Sequence, residues 1–313
     1  MTGSSARRWI TRLVGTGVGL LCLVYLLVSF EWPAVLPVLW SAHPLWLLGG
    51  GSGSIILYWI LRALRWFILL RRAGVAVNPF DLYMCSAVSL SLAIITPLQS
   101  GEALKVEWLR RYGLRERIPG YSSFALERLA DLLVVGVLAA VSIWGRLGPG
   151  NQEFVALGGL VLALLSLLGV WAIRTRRISA PARSTLWHLQ RYVSDGPTVM
   201  LVLLLTFLAW VVVALGWQVC LYSISVALTI QEAIALMSVV TVINILSCVP
   251  GAVGVSEVSS AEFLLRQGQS VPLAQAGALA LRFYGVLILL LGVGHLLLWN
   301  AVRAWRRRAG VKE

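Results

Sequence analysis

Apolar positions along the chain gather into eight long runs separated by short polar stretches. They lie at approximately 11–30, 45–69, 80–98, 120–144, 154–173, 198–224, 232–249 and 273–299. Several contain 18 or more consecutive uncharged residues, the length that spans a bilayer core. The pattern predicts an all-α polytopic membrane protein, and the first question is how many runs cross completely.

The basic residues answer it through the positive-inside bias of short loops. Arg7, Arg8 and Arg12 precede the first run, so the N-terminus is read as cytoplasmic, and the loop from Glu31 to Pro44 has no Lys or Arg. Arg62, Arg65, Arg71 and Arg72 then return the chain to the cytoplasm. If 80–98 crossed fully, Lys105, Arg110, Arg111, Arg115 and Arg117 would lie outside. A re-entrant hairpin removes that conflict: 80–98 dips in, breaks over Thr96 to Glu102, and returns through 103–111. Later, 232–249 breaks over Val249 to Gly254 and returns through 255–267, a second hairpin entering from the outer face. In this topology 22 of 26 basic residues are inside, leaving Arg146 and Arg266 outside and Arg128 and Arg282 within the membrane. The expected architecture is six full spans plus two re-entrant helical hairpins, with both termini cytoplasmic, in an inner membrane of bacterial type.

The two halves, about 10–145 and 153–300, repeat one another within a single transmembrane domain covering 1–313. Pro97 precedes Arg128 by 31 residues and Pro250 precedes Arg282 by 32; Glu102 to Arg128 is 26 and Glu257 to Arg282 is 25. With hairpins entering from opposite faces, the halves form an inverted-topology repeat. Broken helices at matching positions of such repeats mark transporter sites near the midplane.

Composition agrees with this picture and narrows the function. With 59% hydrophobic and 12% charged residues, the chain departs from soluble domains, which sit near 45–50% and 25%. The net charge of +13 is carried by loops beside apolar runs, which suits anionic headgroups and gives no basic surface for nucleic acid. The polar stretch from Arg174 to Pro197 is too short for a domain of its own. The first run reads as an uncleaved helix, because it is long and no small-residue cleavage site follows. Cys22, Cys85, Cys220 and Cys248 sit in apolar runs without CxxC spacing, and His43, His188 and His295 are isolated, so neither a metal nor a cofactor is expected. The tryptophans Trp32, Trp40, Trp46, Trp187, Trp299 and Trp305 read as an interfacial belt.

Chemistry is expected at the breaks. Pro97 and Gly101, and Pro250, Gly251 and Gly254, expose backbone groups that hydrocarbon cannot satisfy, so either a polar interior lies between the hairpins or these are interfacial turns. Half-helix N-termini there suit a phosphate or carboxylate. Glu127, Arg128 and Asp131 share one helix, with the acids four apart on one face. They are read as an ion-pair cluster locking a hairpin, or as a headgroup ligand beside a proton-accepting carboxylate. Arg282 lies about 15 Å into the last span and is expected to pair with Glu257 or Glu262, or to face an anionic substrate. Arg62 and Arg65, followed by Trp66, are read as snorkelling to the interface. Tyr284 is assigned to packing.

In order, these elements are Arg62/Arg65/Trp66, Pro97/Gly101/Glu102, Glu127/Arg128/Asp131, Pro250/Gly251/Gly254/Glu257 and Arg282. That order resembles the transmembrane region of lysylphosphatidylglycerol synthases, a flippase-like family, over nearly the whole chain. The resemblance implies lipid handling, either of aminoacylated phosphatidylglycerol or of glycolipid and polyprenyl intermediates of the envelope. The soluble aminoacyl-transferase domain of full-length synthases is not in this sequence, so synthesis of lysylphosphatidylglycerol by this chain alone is not expected. The family often carries arginines inside and just after the first Pro–Gly–Glu motif, where this chain has Gln99 and Lys105. The leading expectation is a flippase or transporter for an anionic phospholipid or lipid-linked intermediate. Its alternatives are a non-catalytic membrane partner of a lipid-modifying enzyme and a membrane-embedded glycosyl- or phospho-transferase. The last needs an acidic pair on an outer loop, where only the scattered Glu31, Glu153 and Glu232 are found. Oligomeric state is left open.

Overall fold

The computed structural model describes residues 24, 27–111, 114, 117–144, 152–175, 185–247 and 249–309. Most of the first apolar run, Cys22, Cys248, Arg146 and the arginines at 176, 177 and 183 lie outside them. Every described element is helical. The elements are α1 (Trp32–Trp40), a π-helical turn (Leu45–Gly50) leading into α2 (Gly51–Arg72), α3 (Pro79–Ala93), a 3-10 segment (Pro97–Ala103), α4 (Leu104–Arg110) and α5 (Arg117–Trp144). There follow α6 (Gln152–Thr175), α7 (Thr185–Ser194), α8 (Gly196–Tyr222), α9 (Ile230–Ser247), a second 3-10 segment (Pro250–Ala252), α10 (Val255–Arg266) and α11 (Val271–Arg308).

Five stretches are long and apolar enough to cross a membrane: Leu45–Arg72, Leu157–Arg174, Gly196–Tyr222, Ile230–Ser247 and Val271–Arg308. The run predicted at 120–144 is the 28-residue α5, yet it is not one of the five. Glu127, Arg128 and Asp131 lie inside it, and charges at such depth must be paired within the protein.

Both predicted breaks interrupt the helices where the local chemistry requires it. Asn78 caps α3, its side chain accepting from the Phe80 amide at 2.9 Å. The ladder ends at Ala93 because Thr96, preceding Pro97, is extended at φ −102°, ψ 143°. The Thr96 hydroxyl then accepts from the Gly101 amide at 2.8 Å. A Cβ on Gly101 would stand 2.9 Å from that hydroxyl and 3.0 Å from the Leu92 carbonyl oxygen, so the turn closes only around glycine. In the second break Val249 is extended before Pro250, and Gly251 and Gly254 have φ of +64° and +81°. Glu257 Oε2 accepts from the Gly254 amide at 2.7 Å and so caps α10.

The two breaks meet. A Cβ on Gly251 would lie 3.5 Å from the carbonyl oxygen of Ile94, and the two 3-10 segments touch. Around this junction α2 packs on α8, α5 on α6 and α9, and α3 on α11. Small residues set the closest approaches, as between Gly136 and Gly159, where a Cβ on Gly136 would reach 2.5 Å from the Gly159 carbonyl oxygen. Ile55, Trp59, Cys220, Leu236, Leu264 and Tyr284 form the largest buried apolar cluster, at the centre of the bundle. Tyr284 is thus in the core, where its hydroxyl lies 3.1 Å from that of Ser54.

Candidate functional site

The polar centre is built by α2, the first break, α4 and α5. Arg62 and Arg65 stand one turn apart on α2, and Glu127 and Asp131 one turn apart on α5, so each pair presents one face to the other. Arg62 donates to both oxygens of Glu102 at 2.8 Å and to Asp131 at 2.7 Å. Arg65 donates to Glu127 at 3.1 Å, to Asp131 at 2.8 Å and to the Thr206 hydroxyl on α8 at 2.6 Å. Lys105 bridges Glu102, at 2.8 Å, and Glu127. Its ammonium also lies 4.7 Å from the centre of the Trp66 ring, whose Nε1 donates to Ser123 at 3.0 Å.

Arg128 completes the group. It pairs with Glu102, with Asp131 at 2.7 Å, and donates to the Gln99 amide oxygen at 3.0 Å. Six of the seven charged side chains are at most 7% exposed, whereas Arg128 is 23% exposed. Four cations face three carboxylates, so with all groups ionised the cluster carries one surplus positive charge. Arg128 is the most exposed of the four cations, and the buried Nε atoms of Arg62 and Arg128 have no hydrogen-bond partner among the described residues. Ion pairs as deep as these are costly to break singly, because an unpaired buried charge costs several kcal/mol.

The second break carries a far smaller group. Arg282 on α11 donates to the Gly251 carbonyl at 2.8 Å and pairs with Glu257 at 3.2 Å. The guanidinium is 35% exposed and the carboxylate 4%. Of the two partners expected for it, Arg282 takes Glu257, while Glu262 pairs with Arg266 on the surface. Arg128 reaches the first break through Gln99 and Arg282 the second through Gly251. The two arginines therefore flank the junction of the breaks.

Two expectations are corrected. Arg62 and Arg65 do not snorkel to an interface: they are 3% and 1% exposed, and Trp66 is fully buried. The reason is register. The helix continues to Arg72, so Arg62 and Arg65 lie two or more turns before its end, facing carboxylates. Trp299 also leaves the expected belt, since it is buried and donates to Asp81 at 2.7 Å, beside Arg303 at 3.4 Å from the same oxygen. Lys105, Gln99 and Thr206 are not among the partners in this group that the sequence leads one to expect. The spacing of Glu102 and Lys105, three apart on a returning helix, was the signal for the first of them.

The sequence model of the family described as "Lysylphosphatidylglycerol synthase TM region" matches residues 12–294. A protein from Haloferax volcanii named "Glycosyltransferase AglD" is 26% identical over 152 residues, 48% of this chain. The match covers 24% of that protein, so the chain aligns with about a quarter of its curated relative. No solved structure matches the chain. With nearly its whole length matched, the chain belongs to the lysylphosphatidylglycerol synthase transmembrane-region family.

Proposed function

We propose that the protein moves an anionic phospholipid or lipid-linked envelope intermediate across a bacterial cytoplasmic membrane. One observation carries this reading: Arg128 and Arg282, both partly exposed, flank the meeting point of two helix breaks, while the other cations of the site are buried in ion pairs. A headgroup phosphate entering there meets the spare charge of the larger cluster and two planar guanidinium donors. Its acyl chains stay in the bilayer. Glu102, Glu127 and Glu257 are the candidates for proton coupling, since each must release an arginine or lysine as a headgroup takes its place. Family membership and the relative named for glycosyl transfer both support a lipid-related role in the membrane.

The topology that fits transport is six spans and two re-entrant hairpins in an inverted repeat, with both termini cytoplasmic. Cysteine labelling tests it at Arg110 and Arg266, exposed ends of the two returning helices. The labels are expected on opposite faces, and a common face would contradict the inverted repeat.

Transport is tested in liposomes containing the purified protein, with fluorescent phosphatidylglycerol or a fluorescent polyprenyl phosphate. The parent is expected to move one of them, and folded Arg282→Gln to do so at least about tenfold more slowly. A folded parent that moves neither faster than empty liposomes overturns the proposal. A second reading, favoured by the AglD likeness, is service in lipid glycosylation, as transferase or as membrane partner of a lipid-modifying enzyme. Sugar transfer to a polyprenyl phosphate in the same liposomes, without translocation, would select it.

A further inference from the structure

Away from the hairpins, a cavity of about 90 Å³ lies where the end of α2, α7 and the start of α8 meet. It is lined by Arg72, Arg191, Tyr192, Asp195 and Thr198. The volume is several times the roughly 10–15 Å³ that one water needs, so a tetrahedral anion fits. Asp195 is already engaged: its carboxylate accepts from the Thr198 hydroxyl at 2.6 Å and pairs with Arg72 at 3.3 Å. The hydroxyl bond holds that carboxyl below its ordinary range, so it stays charged and committed to these partners. Arg191 stands 5.6 Å over the ring of Trp187 and has no carboxylate partner among the described residues. Two arginines against one aspartate leave the cavity with one surplus positive charge.

Tyr192 supplies the second, independent observation. It is 2% exposed, yet its hydroxyl has no hydrogen-bond partner among the described residues. A buried hydroxyl left unpaired calls for an explanation, and an unseen ligand is one of them. Thr198 belongs to the first turn of the 27-residue α8, so the positive end of that helix also borders the cavity.

The cavity is separate from the charged cluster. Arg72 follows Arg65 by seven residues and Thr198 precedes Thr206 by eight, about two helical turns or roughly 10–12 Å in each case. Leu69, Leu126, Leu189 and Val202 belong to the apolar cluster that includes Tyr192 and fills the interval. The cavity therefore lies at the end of the bundle that the loop charges assign to the cytoplasmic face.

We infer that this cavity is a second anion site that binds a phosphate group through Arg72, Arg191 and the Tyr192 hydroxyl. The phosphate belongs either to a lipid headgroup of the adjoining leaflet or to a soluble phosphate ester. The site does not depend on the transport proposal, because it uses neither Arg128 nor Arg282.

The test uses the full chain, labelled with 3-fluorotyrosine in nanodiscs of phosphatidylcholine. The Tyr192 fluorine resonance is assigned by its disappearance in Tyr192→Phe, then followed while dioctanoyl phosphatidylglycerol or glycerol phosphate is added. A shift with both probes identifies a phosphate site open to solvent, and a shift with the lipid alone identifies a headgroup site. Arg72→Gln with Arg191→Gln is expected to raise the half-saturating concentration at least about tenfold, with Arg191→Gln alone as the milder version if the pair folds poorly. Arg128→Gln is expected to leave the titration unchanged, whatever it does to translocation. No shift with either probe at millimolar concentration, or an unchanged titration in Arg191→Gln, overturns the inference.

Discussion

The two helical hairpins share a plan and differ in how firmly they are held. At the first, Glu102 and Lys105 are bound into a group of seven charged side chains that reaches α2 and α5, with Thr206 drawing in α8. At the second, Arg282 makes one ion pair and one bond to a carbonyl, partly exposed. Buried ion pairs cost much to form in hydrocarbon surroundings and still more to break singly. On the proposed transport reading, the first hairpin is the fixed wall of the junction and the second the wall able to move. The proposed transport requires at least one element with two arrangements of similar energy, and the lightly held second hairpin is the candidate.

The comparison breaks first at Asp131, which takes bonds from Arg62 and Arg65 and pairs with Arg128. Asp131→Asn leaves buried arginines short of charge, and about 3–5 kcal/mol of stability is expected to be lost. Thermal unfolding in detergent, or a fall in monodisperse yield, reads that loss. The breaks themselves differ less. Gly101→Ala forces a Cβ toward the Leu92 carbonyl oxygen, 3.0 Å away, and is expected to cost about 1–3 kcal/mol by overpacking. Gly251→Ala keeps space but holds φ near +64°, for about 1–2 kcal/mol of backbone strain. Both appear as lowered unfolding midpoints.

Arg282→Gln sharpens the contrast, because the guanidinium is 35% exposed. Its stability is expected to stay within about 1–2 kcal/mol of the parent, while translocation falls. A mutant that unfolds like Asp131→Asn would mean the two hairpins are held alike. The smallest effect is expected at Arg266→Ala. Its surface pair with Glu262, 41% and 54% exposed, is worth at most about 0.5 kcal/mol, and unfolding should not register it.

Much of this was legible in the sequence, for identifiable reasons. Apolar runs locate helices, and Pro97 and Pro250 end them through backbone constraints that act locally, so both breaks fall where the sequence puts them. The pairing of Arg282 with Glu257 is among the options the sequence leaves open. Arg62 and Arg65 were misplaced because a charge near the end of an apolar run looks the same whether the helix stops there or continues to Arg72. Only the packing of α5 against α2 shows which carboxylates they face. The partners of Lys105 are hidden for a related reason: Glu102 and Glu127 are three and 22 residues away, and no periodicity links the second to it. The Asp81 contact with Trp299 spans 218 residues and lies beyond any local pattern.

Hydrogen–deuterium exchange of the protein in nanodiscs containing phosphatidylglycerol tests the asymmetry most directly. Amides of α4, Leu104–Arg110, are expected to stay protected with and without anionic lipid, whereas those of the break at Pro250–Ala252 and of α10, Val255–Arg266, exchange faster and change protection when the lipid is added. Equal protection of the two hairpins, or a lipid response confined to the first, would contradict the account.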